Sequence, residues 1–122
     1  MNIEQLYQYC NLKRGVTEEF PFDNQTLVFK VMGKIFALTS LETWEKGEAK
    51  INLKCDPEWA EELREKYSNS IKPGYHMNKK HWNTLSLNAE ISDTFAFSLI
   101  DHSYNLIVKG LSKKLKEKLK KL

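Results

Sequence analysis

The sequence predicts an α+β fold: a two-layer sandwich in which helices pack on one antiparallel sheet of about five strands. Three observations carry that expectation. Two-residue alternation and helical periodicity take turns along a chain of 122 residues. They do so in the order α-β-β-β-α-β-β-α. The strand-like runs follow one another through short polar turns, which favours antiparallel pairing of sequence neighbours.

The first helix is expected over Ile3 to Leu12, because Ile3, Leu6, Tyr7 and Cys10 recur on one helical face. Gly15 closes the turn after it, and Thr17–Asp23 reads as irregular, with Pro21 holding Phe20 extended. Thr26–Met32 and Lys34–Thr39 read as a hairpin with its tip near Met32-Gly33-Lys34. After the polar turn Glu45-Lys46-Gly47-Glu48, Lys50–Cys55 alternates, with Ile51, Leu53 and Cys55 inward. Asp56-Pro57-Glu58 is a helix start, by cap, fixed φ and dipole complement, for a helix to about Tyr67. Pro73-Gly74 is a break, and Tyr75–Met77 with Trp82–Leu87 read as a second hairpin joined through Asn78-Lys79-Lys80-His81. Ser92-Asp93 caps a last long helix that ends near Gly110.

The composition, 41% hydrophobic and 29% charged, supports one globular core without metal or disulfides. The longest apolar run, Ile35–Leu38, is far too short to span a bilayer. Met1–Gln5 lacks the basic and apolar regions of a signal peptide, so a cytoplasmic address with no membrane contact is expected; the sequence leaves the oligomeric state open, with a monomer favoured. Cys10 and Cys55 have no metal-ligand spacing and are expected to be reduced thiols. Charge is unevenly placed. Residues 1–110 hold 13 basic and 15 acidic side chains, whereas the last twelve hold six lysines and one glutamate. Residues 115–122 are read as a basic Lys/Leu tail extending a helix beyond a domain at 1–114, the bound that the resemblance given below implies. Contact with anionic lipid, nucleic acid or a partner, a helix whose leucines pack on the domain, and a frayed helix end are all open to the tail.

Chemistry is sparse. There is no G-x-S-x-G elbow, Walker loop or dinucleotide fingerprint, and His76, His81 and His102 have no metal-type spacing. No enzyme activity, cofactor or metal is expected. The densest polar and aromatic stretch is Pro73–Thr84. In a strand–loop–strand wing, Lys79 and Lys80 would meet phosphates, Asn78 and Asn83 would offer amides, and His81 or Trp82 could stack. Lys30 and Lys34 give the first hairpin a similar character. The plain alternative is a hairpin with a solvated basic tip and a tryptophan in the core.

The run Pro73-Gly74-Tyr75-His76-Met77-Asn78-Lys79-Lys80-His81-Trp82-Asn83-Thr84 resembles the YjbR/MmcQ family of small bacterial proteins. So do Leu99–Tyr104, Gly110–Lys114, the helix with Cys10, Phe20–Asp23 and Val31–Leu38, covering the chain to about Lys114. The chain departs at Ser112, where members often carry proline, and in the tail after Lys114. The resemblance implies a frataxin-like, CyaY-like fold and a double-wing mode of DNA binding. Carried over, the second wing is Asn78, Lys79, Lys80, His81 and Trp82, with Lys30 and Lys34 as candidates for its companion. Two other readings stand beside it: an adaptor domain for a protein or small ligand, and a metal-linked role suggested by the frataxin-like fold.

Overall fold

The computed structural model describes residues 1–122. Its elements are α1 (Ile3–Asn11), β1 (Val16–Glu19), β2 (Thr26–Val31), β3 (Lys34–Ser40), α2 (Leu41–Glu45) and β4 (Lys50–Lys54). They continue with α3 (Pro57–Lys66), β5 (Ile71–Pro73), β6 (Trp82–Ser86), α4 (Asp93–Lys109) and α5 (Lys113–Lys120). The six strands form one sheet in the order β1-β2-β3-β4-β6-β5, every neighbouring pair antiparallel. The α+β class is as the sequence predicts, with one strand and two short helices more. No helix is long and apolar enough to cross a membrane.

The helix starts obey local chemistry. Asn2 and Gln5 exchange side-chain and backbone bonds in a capping box. Asp56 accepts from the Glu58 and Trp59 N–H groups with Pro57 in the first turn, and Ser92 and Ser112 cap α4 and α5. The core lies on one sheet face, where Phe29, Ala37, Ile51, Leu53 and Leu85 pack beneath α4 residues such as Ala96 and Ile100.

Between β3 and β4 the sheet is thin. Only Ala37↔Leu53 and Leu38↔Asn52 pair directly. At the next rung Ser103 intervenes from α4: its buried hydroxyl donates to the Phe36 carbonyl at 2.6 Å and accepts from the Lys54 N–H at 2.9 Å. The sheet is thus two three-stranded halves, β1-β2-β3 and β4-β6-β5, held apart at one end by a serine.

Two sequence readings need correction, and one helix is added. Residues 16–19 form the edge strand β1, although only Val16 is apolar, because an edge strand packs little and draws its order from the β2 ladder. The second hairpin is displaced: the strand facing β6 is β5, which ends at Pro73, and Tyr75–Met77 belongs to the loop. Pro73 is tolerated because β5 is an edge strand that need not donate there. The segment before Glu45-Lys46-Gly47-Glu48 is helical (α2), and Trp44 Nε1 donates to Thr39 Oγ1 at 2.8 Å.

Candidate nucleic-acid interface

The strand register fixes where the basic loops lie. The β2–β3 connection is the two-residue turn Met32-Gly33, with Val31 opposite Lys34. Both central residues have positive φ, 50° and 81°, the geometry whose twist matches a tight hairpin and that glycine adopts without strain. From this turn β3 runs away, β4 returns, and Lys54 at its end pairs with Trp82 at the start of β6. The β2–β3 turn and the loop 74–81 therefore sit at the same end of the sheet. Two strand spacings separate β3 from β6, about 10 Å.

The loop is held by its own backbone. Gly74 N–H donates to the Trp82 carbonyl at 2.8 Å, and the Asn78 carbonyl accepts from His81 and Trp82 N–H. Asn78 Oδ1 accepts from Lys80 N–H at 2.9 Å, and Arg64 donates to the Lys79 carbonyl at 2.8 Å. Gly74 has no room for a side chain, since a Cβ there would stand 2.8 Å from Trp82 Cβ.

The candidate residues divide accordingly. Lys34 and Lys80 are exposed and make no ion pair. Lys79 is exposed too, and its ammonium reaches back to the Gly74 carbonyl at 3.4 Å. Lys30 is engaged elsewhere: it is half-buried on the open sheet face, 2.7 Å from Glu19. Asn78 spends its amide oxygen on the loop, while His81 and Trp82 are half-buried at the start of β6. Asn83 is buried, its Nδ2 donating to the Ala60 carbonyl, so it faces the core and offers no amide to a ligand.

Two contributors were hidden in the sequence. The Lys/Leu tail folds as α5 from Lys113, and its last turn covers Gly15 and reaches Met32, beside the β2–β3 turn. Leu111 and Leu119 are buried there, and Arg14 Nη1 donates to the Lys120 carbonyl. The lysine run was visible, but its docking depends on Gly15 leaving space one hundred residues away. Glu42, Glu45 and Glu48 lie at the opposite end, on α2 and its following turn, and do not interrupt the basic end.

The second hidden feature is a cleft of about 970 Å³ over the uncovered sheet face. Leu38, Asn52, Thr84 and Lys72, successive partners across the strands, contribute to its floor.

Burial pushes the Cys10 thiol up to about 12 and the Cys55 thiol up to about 11, so both stay protonated at neutral pH. No three His, Cys, Asp or Glu side chains gather where they could share a cation. Asp101 and His102 point apart: Asp101 accepts from Tyr9 at 2.7 Å, and His102 Nε2 accepts from the Asp56 N–H at 3.1 Å.

Compared with known proteins, residues 12–106 match the family model described as YjbR. Among curated relatives, the uncharacterized protein YbdF of Escherichia coli O157:H7 is 46% identical over 95 residues, 78% of this chain and 75% of that one. The uncharacterized protein YjbR of Escherichia coli K12 is 34% identical over the full length of both chains. The crystal structure of a Deinococcus radiodurans protein with domain DUF419 superposes with a TM-score of 0.88 at 37% identity, covering 97% of this chain and 87% of that one. A Pseudomonas syringae crystal structure gives a TM-score of 0.69 at 29% identity over 87% of this chain and 98% of that one.

Proposed function

The chain belongs to the YjbR family, and we propose that it binds duplex DNA without catalysing a reaction on it. The observation that carries this reading is the gathering of Lys34, Lys79, Lys80 and the last turn of α5 at one end of the sheet. The two β-ribbon ends, about 10 Å apart at the strand spacing, are close to the roughly 12 Å width of a major groove. Lysines so placed straddle it and meet phosphates on either side. Ammonium groups on phosphates position a protein but read no bases, so low sequence specificity follows.

Fluorescence anisotropy with a labelled duplex at graded salt tests the reading. Three phosphate contacts predict that log affinity falls with log salt with a slope of about −2.7, and more steeply where α5 lysines join. Lys34→Ala, and the pair Lys79→Ala with Lys80→Ala, should flatten the slope by about 0.9 per lysine removed. A flat profile, or variants that keep the full slope, contradicts it.

A further inference from the structure

The cleft over the open face of the sheet has a chemistry that the hairpin ends do not explain. Its seventeen lining residues include Lys50, Lys72 and Lys79 and not one aspartate or glutamate, in a chain with 16 acidic residues. None of the three lysines meets a carboxylate; Lys72 donates to the Ser68 carbonyl at 2.7 Å and Lys79 to that of Gly74. By contrast the lysines that do form ion pairs, Lys13, Lys30 and Lys46, all lie outside it.

Its rim is aromatic. Phe22 and Tyr75 are 67% and 69% exposed, more than any other aromatic side chain of the protein, and both border this one cleft. Each is presented by an ordered loop. Asp23 Oδ1 accepts from the Gln25 and Thr26 N–H groups, bonds that also hold its carboxyl below the usual range and fix the turn after Phe22. Tyr75 N–H donates to Thr84 Oγ1 at 3.0 Å, and its ring lies 3.9 Å from that of His76. Exposing two large rings to water is unfavourable unless something stacks on them. On the floor Thr84 Oγ1 donates to Asn52 Oδ1, which leaves the Asn52 amide N–H groups as donors between the cations.

We propose that this cleft takes unpaired nucleotides of a single DNA strand, with bases on Phe22 and Tyr75 and phosphates on Lys50, Lys72 and Lys79. The inference rests on the DNA-binding reading, and Lys79 belongs to both surfaces. A strand fits better than one nucleotide because the cations are spread out. Lys50 pairs with Ser86 at one end of β6, and Lys79 lies in the loop before Trp82 at the other. Four residue steps along a strand are about 14 Å, more than one phosphate can bridge.

The test is fluorescence anisotropy of the full chain with labelled oligothymidylate and with a duplex of equal length, thymidine monophosphate serving as competitor. The expected result is that the single strand binds more tightly than the duplex. Phe22→Ala and Tyr75→Ala should each weaken it on the order of 5- to 100-fold while leaving duplex affinity unchanged. Phe22→Tyr should retain the single-strand affinity, because stacking tolerates that ring. Equal loss of both DNA forms in the aromatic variants, or none in either, overturns the cleft assignment and leaves the hairpin reading standing. Saturation by thymidine monophosphate as tightly as by the oligomer also overturns it, in favour of a small-ligand site. Single-strand binding that depends on Phe22 and Tyr75, without duplex binding, supports the cleft and removes the duplex reading instead.

Discussion

At Ser103 a single hydroxyl joins two backbone groups that the sheet itself leaves apart, the Phe36 carbonyl and the Lys54 N–H. Ser103→Ala orphans both in a buried position, so a loss of about 2 kcal/mol in unfolding free energy is expected from urea denaturation. A loss under about 0.5 kcal/mol would mean that the two halves of the sheet close on each other without it. One position earlier, His102 works as a neutral acceptor for the first N–H of the α3 cap. Burial lowers its pKa, against the opposing pull of Asp56. The unfolded chain then takes up the proton first as pH falls. The stabilisation is complete above the ordinary histidine value of about 6.5 and is lost as pH drops below it towards the folded value. Denaturation midpoints should therefore fall from about pH 7.5 to about pH 5.5, and His102→Gln, which keeps an acceptor, should flatten that part of the profile. An unchanged profile in the variant would assign the acid sensitivity to other groups.

Among the elements, α5 separates what a sequence displays from what it conceals. Leu111, Leu115 and Leu119 announce a helix with an apolar side, and Ser112 caps it where proline would also have fitted. What they pack against is a matter of distant shape: Gly15, at φ 73°, leaves the hollow that the Leu119 side chain fills. If α5 is a docked element, Leu119→Ala should cost about 2 kcal/mol by the same urea measurement, whereas a frayed end would lose nothing. β4, which alternates, and β2, an apolar run bounded by Met32-Gly33, were legible as α3 and α4 were, since pattern and boundary signals agree. The edge strands β1 and β5 were not, because Val16-Thr17-Glu18-Glu19 and Ile71-Lys72-Pro73 owe their conformation to neighbours across the ladder. The candidate site shows the same division. Lys34 and the Lys79-Lys80 pair could be read as tips, but the engagement of Lys30 by Glu19 and the burial of Asn83 follow from β1 and from the core side of β6. The cleft, built by residues from five strands and the segments between them, had no contiguous signature at all.

On the scale of the whole molecule, an uneven charge along the chain becomes an uneven charge in space. The acidic excess of residues 1–110 includes Glu42, Glu45 and Glu48 at one end of the sheet, while the lysine-rich α5 folds back to join the hairpin tips at the other. The exposed lysines of the tips and of α5 would draw a polyanion to that end, against the opposing charges of Asp56 and Glu58, which follow β4 there. Amide chemical-shift mapping during titration with duplex DNA at low salt shows most directly which end of the molecule the DNA meets. Shifts should cluster on Gly33, Lys34, Asn78–His81 and the last turn of α5, with little change on α2 and Gly47. Shifts concentrated on α2, or on the outer surface of α3, would contradict this placement.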